Sequence, residues 1–295
     1  MRVFITGATG LIGAGVARAL RARRHQVVGL ARSAATADQL RRAGVDPYLG
    51  ALADHDRLRA AISSADAVIH AAFARDALED LPRAAAEEQT AVRAMLATGK
   101  PLIYTSGLGV LGDTGDQIAT EHTPPNTPPH MIWRRELELA TLTARHGLVI
   151  RPALVYGDAG GAILTGLIES ALAHQAACYR IPGDAVWPNV HVDDLAEAYA
   201  LALEEAPAAT LLNLVGGEST PRAVAEAIGR LIGRPDRTAG LPPEQAQAIA
   251  PVTAWIGMTQ RVNADRARQL LGWRPTRPTL EHDIEFGSYR QLLPT

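Results

Sequence analysis

The chain has almost nothing with which to cross-link itself: Cys178 is the single cysteine among 295 residues. An intrachain disulfide and a thiolate metal cluster are both excluded, and a reducing compartment is the natural setting. A lone cysteine in apolar surroundings reads as a small core residue. Lysine is as scarce, with Lys100 the single one among 29 basic residues. A formal net charge of -2 leaves no excess of positive charge for a broad nucleic-acid surface. No apolar run nears the ~20 residues needed to cross a bilayer. Met1–Thr6 leads directly into a glycine turn, without the basic start, apolar stretch and small-residue cleavage site of a secretion signal. The nine histidines are scattered without ligand spacing. A cytoplasmic protein is expected, with no membrane or nucleic-acid partner and no metal.

What is present is a 47% hydrophobic chain, enough for a substantial core, in which β-rich runs and helical patterns alternate. Val3–Thr6, Gln26–Ala31, Ala67–Ala71, Pro101–Thr105 and Leu148–Arg151 read as strands, with helices between them. Such alternation implies parallel pairing through right-handed crossovers, hence an α/β fold with a Rossmann-type doubly wound parallel sheet. Asp113–Pro129, with four prolines, reads as a loop. From Tyr156 to Asn189 the alternation lapses, as it would where the chain builds cover beside the sheet. The expected plan is a main dinucleotide-binding core over 1–155. Residues 156–295 would supply the remaining core elements and an interleaved, smaller C-terminal substrate lobe.

The turn Gly7-Ala8-Thr9-Gly10-Leu11-Ile12-Gly13 joins a strand to a helix, the arrangement that sets a pyrophosphate on helix N–H groups. Gly7 permits the tight turn, Gly10 lets a cofactor approach, and Gly13 lets the helix pack on the strand, while Thr9, Leu11 and Ile12 supply backbone contacts or walls. An NAD site usually carries an acid after the second strand. Val27–Ala37 contains none, and Arg32-Ser33 stands there instead, able to hold a 2′-phosphate. The expectation is therefore NADP, with NAD as the alternative.

Further segments extend the pattern: His70-Ala71-Ala72, Thr105-Ser106-Gly107 through Gly112, Arg151-Pro152 through Val155-Tyr156-Gly157, His191-Val192-Asp193-Asp194, and Asn263-Ala264-Asp265 through Leu271-Gly272-Trp273. With the glycine turn they make the chain resemble the extended or atypical short-chain dehydrogenase/reductases, within the NAD-dependent epimerase/dehydratase family, over nearly its whole length. The resemblance implies that His70, Ala71 and Ala72 line the cofactor cleft and that Pro152 through Leu154 to Val155 pass near the nicotinamide. It also implies that the helices in Leu78–Thr98 and Ile132–Ala144 pair in a homodimer.

The family's chemistry rests on a Ser or Thr with a Tyr-x-x-x-Lys pair, and here the chain departs. Lys100 is preceded four places earlier by Leu96, so the pair exists nowhere in the sequence. Matched positions put His130 at the Tyr place, Arg134 at the Lys place, Glu138 at an acidic helical position and Gly107 at the Ser place, with Thr105 and Ser106 beside it. In a catalytic reading His130 carries the proton, as imidazoles do in many enzymes. Arg134, four residues on, binds ribose hydroxyls, and Thr105 or Ser106 orients a carbonyl. The expected activity is then an NADP-dependent oxidoreductase or epimerase-like conversion of a small carbonyl or hydroxyl compound. The alternative is a catalytically degenerate dinucleotide-binding sensor or scaffold. Trp133, Trp187 and Arg180 lie where a substrate pocket could form, and Tyr156 reads as a loop anchor.

Overall fold

Strand β1 (Arg2–Thr6) alternates its side chains between two cores: Val3 and Ile5 enter one apolar cluster, Phe4 the other. That period of two is how a strand buried on both faces is built. The computed structural model describes residues 1–73, 80–250, 252 and 257–294. Helix α1 (Leu11–Ala22) leads to β2 (Gln26–Ala31), α2 (Ala34–Arg42) to β3 (Asp46–Leu49), α3 (His55–Ser63) to β4 (Ala67–His70), and α4 (Leu81–Leu96) to β5 (Leu102–Thr105). A short strand β6 (Ile118–Ala119) lies in the proline-rich loop, followed by α5 (Ile132–Thr143), β7 (Gly147–Pro152), β8 (Leu154–Tyr156), α6 (Ala162–His174), β9 (Ala177–Arg180), β10 (Trp187–His191) and α7 (Val192–Glu205). Then come β11 (Thr210–Leu214), β12 (Gly217–Ser219), α8 (Pro221–Leu231), β13 (Thr238–Leu241), α9 (Pro243–Ile249), β14 (Arg261–Val262), α10 (Asp265–Leu271) and α11 (Leu280–Phe286). The expected helical start at Leu78 lies outside the described residues.

Seven parallel strands form the main sheet in the order β11-β7-β5-β4-β1-β2-β3, as the strand–helix alternation predicts. Helices α1, α2, α7 and α10 cover one face; α3, α4 and α5 cover the other. From β1 the chain winds out to β3, then crosses back to β4 and on toward β11, so the order reverses between β1 and β4. In open α/β sheets the crevice at the C-terminal ends of the strands flanking such a switch point is where ligands bind. The smaller lobe packs α6, α8 and α11 around Tyr156, Trp187 and Tyr289, with β8, β10 and β12 as a separate sheet. Tyr156 anchors a loop, its hydroxyl donating to the Pro278 carbonyl at 2.6 Å. Among the described residues no helix is long and apolar enough to cross a membrane.

The parallel register sets Thr6 level with His70, so the turn after β1 and the exit of β4 meet. Gly7 has φ +76°, and a Cβ there would lie 2.5 Å from the Ala71 carbonyl oxygen. A Cβ on Gly13 would lie 2.1 Å from the Gly7 carbonyl oxygen, which fixes how closely α1 abuts the turn. Gly13→Ala should therefore cost about 1–3 kcal/mol of unfolding free energy, as overpacked backbone contacts do. Gly107, whose added methyl would meet nothing within 4 Å, should tolerate alanine at under about 1 kcal/mol. Parallel urea titrations of the two variants check the contrast.

Candidate active site

The mouth of the switch-point crevice is built for an anion. Helix α1 begins at Gly10 with no side-chain cap and no acid in its first turn, so its leading N–H groups face outward without a competing carboxylate. Backbone amides in that setting, carrying the positive end of the helix dipole, suit a pyrophosphate. Gly10 itself donates from its N–H to the Gly7 carbonyl at 2.9 Å, closing the turn. Leu11 faces the small lobe, where its side chain abuts Gly160. The glycine cradle and the open helix start thus fit a dinucleotide.

Directly inside lies a cavity of about 290 Å³, walled by Ile12 of the turn, Ala71, Ala72 and Phe73 after β4, Leu81, Thr105 and Ser106 at the end of β5, and His130, Met131, Trp133 and Arg134. Ile12, Ala71, Ala72 and all four expected catalytic residues therefore meet in one space, although Ile12 and His130 are more than a hundred positions apart in sequence. His130 sits in a short 3-10 turn (Pro129–Met131) that precedes α5, because Pro128 and Pro129 hold the chain extended up to that point. Its ring is exposed, and its carbonyl accepts the Trp133 indole N–H at 3.0 Å. Thr105 is buried, its hydroxyl 2.7 Å from that of Tyr199. The Ser106 hydroxyl is buried and has no hydrogen-bond partner among the described residues.

Arg134 is held from all sides. Its guanidinium lies 4.8 Å from the centre of the Phe73 ring and 4.7 Å from that of Trp133, within cation–π reach of both. One arm donates to the Ser106 carbonyl at 3.4 Å and another to Glu88 at 3.5 Å. Glu88, in α4, also accepts from the buried Tyr104 hydroxyl at 2.9 Å. Burial pushes the Glu88 carboxyl up, against the pull of Arg134 and Tyr104. It also pushes the Tyr104 hydroxyl well above its ordinary range. Burial works to lower the Arg134 guanidinium as well, but Glu88, Tyr104 and Glu138 outweigh it and the group is raised. Below the cavity floor His70 is 1% exposed, its Nδ1 2.7 Å from the Thr6 hydroxyl, so it supports the β4 exit and does not line the cavity. Glu138 is buried and grips Arg151 of β7 through two hydrogen bonds of 2.8 and 2.5 Å, which seats α5 on the sheet.

Pro152 and Leu154 lie apart from this group. After Pro152 the chain leaves the main sheet for β8, and both residues line a second cavity of about 220 Å³ with Trp187 and Met258. Arg180 lines a third, small pocket behind Trp187. Arg32 and Ser33 follow β2, where Ser33 caps α2: its hydroxyl accepts from the Thr36 N–H at 3.2 Å and lies 3.0 Å from the Thr36 hydroxyl. Glu88 and Tyr104 escape a motif search altogether. The signal for Glu88 is its spacing, since it falls in the buried stripe Ala84, Ala85, Ala91, Val92 and Met95 of α4.

Residues 3–214 match the model of the NAD dependent epimerase/dehydratase family. An uncharacterized protein of Schizosaccharomyces pombe is 32% identical over 98% of this chain and 100% of its own. A 3-diazoavenalumate denitrifying reductase of a Streptomyces species is 31% identical over 95% and 97%. A solved UDP-glucose 4-epimerase of Thermus thermophilus superposes with a TM-score of 0.78 at 23% identity, over 99% of this chain and 100% of the other. These findings correct the cofactor expectation. The Thermus epimerase was solved with NAD, as was a dTDP-glucose 4,6-dehydratase of Bacillus anthracis (TM-score 0.80, 17% identical), and the matching family model is named for NAD. NADP, read from Arg32 and Ser33, does not stand. Ser33 is where a helix cap is needed, and Arg32 is an exposed arginine with no partner among the described residues.

Burial drives the His70 imidazole down to about 3, and the Arg134 charge acts in the same direction. An unfolded chain, with histidine near 6.5, takes the proton sooner than the folded one. The contribution of His70 is therefore complete above about pH 6.5 and declines as pH falls toward 3, by about 1.4 kcal/mol per pH unit. Glu88 acts in the opposite sense, so the contrast to measure is wild type against His70→Asn in urea titrations between pH 6.5 and 4.5. The wild type should lose the extra ~1.4 kcal/mol per unit; a pH-independent difference would mean that the imidazole does not sense its burial.

Proposed function

The chain belongs to the NAD dependent epimerase/dehydratase family, and from that premise we propose that it is an NAD-dependent oxidoreductase interconverting a carbonyl and an alcohol on a small molecule. The observation that carries this reading is a single cavity walled on one side by the dinucleotide turn, through Ile12, and on the other by Ser106, His130 and Arg134. The Streptomyces reductase, similar over nearly its full length, supports the reductive direction.

NAD supplies hydride transfer when bound. The residues of the chain do the rest. The leading amides of α1 hold the pyrophosphate, with Gly7, Gly10 and Gly13 leaving it room, and Ala71 and Ala72 bound the cleft. The Thr105 hydroxyl is engaged by Tyr199, so Ser106, buried and without a partner among the described residues, is the hydroxyl left to orient a substrate oxygen. His130 carries the proton. In the reductive direction bound NADH would supply the hydride, Ser106 would orient the carbonyl oxygen and His130 would give that oxygen its proton, leaving an alcohol.

Arg134 takes the lysine's place in another manner. A lysine is a compact point charge, whereas the planar guanidinium lies within reach of two rings and still has N–H donors directed elsewhere. It keeps a fixed positive charge in the cavity wall and offers its remaining donors to ribose hydroxyls.

Steady-state NADH oxidation with a panel of small aldehydes and ketones tests the reading. His130→Gln should lose ~10²–10⁴-fold in kcat, the usual contribution of a positioned general acid, while NADH binds within about twofold of wild type. NADH binding without turnover of any carbonyl by the wild type would instead leave a dinucleotide-binding scaffold.

A further inference from the structure

The second cavity, on the lobe side, is lined by no charged side chain among the described residues. Among the described residues Leu108, Leu154, Ile163, Trp187 and Met258 face it, and Gln260 is the one side-chain amide. That amide is spent within the wall, its NH₂ donating to the Leu108 and Gly112 carbonyls at 2.8 and 2.9 Å. The cavity adjoins the catalytic one. Ser106 lines the first and Gly107 the second, and Met131 of the first lies over Gly109 of the second, where a Cβ would come within 2.8 Å of its terminal methyl.

A nucleoside diphosphate brings at least two negative charges, which proteins meet with arginine, lysine or the amides of a helix start. Among the described residues that line this space there is no charged side chain. The chain's single lysine, Lys100, is not in its wall. Arg180 lines a different small pocket with Leu167, Pro221 and Ala225; Trp187 is the wall shared by the two, and the Arg180 guanidinium packs on Gly257, next to Met258 of the cavity. Placing an unpaired phosphate or carboxylate against these aliphatic and aromatic faces would cost its hydration with no compensating partner. Burying an uncharged ring there is favourable in proportion to the apolar area removed from water. At about 220 Å³ the space falls below the ~300–1,000 Å³ usual for drug-sized ligands, so the occupant is small.

We propose that this cavity is the substrate-binding site for an uncharged, largely apolar ketone or its secondary alcohol, with a ring against Trp187 and the oxygen toward Ser106 and His130. This rests on the oxidoreductase reading and narrows it: an uncharged ketone is preferred over sugar nucleotides and small anionic keto acids, for which the cavity's described lining holds no charged side chain.

Calorimetric titration of the NAD-loaded protein, in which a ketone has no hydride to accept, tests the assignment with four probes: acetophenone, 1-tetralone, pyruvate and UDP-glucose. The two aryl ketones should bind at least tenfold more tightly than the two anions. Ile163→Arg, which sets a charge in the wall, should weaken 1-tetralone binding tenfold or more and leave NAD affinity unchanged. UDP-glucose or pyruvate binding as tightly as the ketones overturns the proposal, and so does the absence of binding by all four. Turnover is read separately with NADH. Tight ketone binding without NADH oxidation would keep the substrate site and remove the reductase reading. NADH oxidation driven by pyruvate alone would keep the reductase and remove the site.

Discussion

Gly7 lies so near the exit of β4 that a methyl group on it would sit 2.5 Å from the Ala71 carbonyl oxygen, and Gly13 lies nearer still to Gly7. That double backbone contact sets where α1 starts and how it is aimed, and the remaining geometry follows from it. One turn along, Gly15 meets Val192 of α7, where an added Cβ would be 2.9 Å from the valine methyl. Helix α7 thereby packs on α1, and its N-cap His191 ends β10, the strand that carries the small lobe's sheet. The dinucleotide turn and the lobe-side cavity are thus two ends of one chain of close contacts. Side chains larger than hydrogen at these glycines would push the ends apart.

A second constraint is the burial of charge behind α5. Arg134 and Glu88 are both nearly dry, and desolvating each costs several kcal/mol before any attraction is counted. The chain meets that cost with many partial contacts: two aromatic faces, the Ser106 carbonyl, the Tyr104 hydroxyl and the Glu88 carboxylate. Beside it, Arg151 and Glu138 form a paired, two-bond bridge that holds α5 against β7. Stacking of this kind suits a flat guanidinium better than an ammonium group.

The strand order and the location of the site were legible because both depend on local signals. Apolar runs broken by helical patterns specify a parallel sheet, and a glycine turn between the first strand and helix marks its crevice. Thr105, Ser106, His130 and Arg134 were singled out through the family resemblance, and the fold brings them to one cavity. Other features depend on partners that sequence does not reveal. Glu88 reads as one more charge on an alanine-rich helix until α4 is seen to turn it inward against Tyr104 and Arg134. Ser33 illustrates the reverse: a hydroxyl that looked free to bind phosphate is claimed by the start of α2, three residues away. Pro152 and Leu154, expected near the nicotinamide, line the lobe-side cavity because the chain leaves the main sheet there for β8.

The central claim is that the cavity between Ile12 and His130 is where a carbonyl and an alcohol are interconverted on NAD. A crystal structure with NAD bound tests it most directly. The account predicts the pyrophosphate on the first amides of α1 and the nicotinamide in this cavity, with its reactive carbon facing the space between Ser106 and His130. A nicotinamide seated elsewhere, or a His130 ring turned out of the cavity with that space filled by protein, would contradict it.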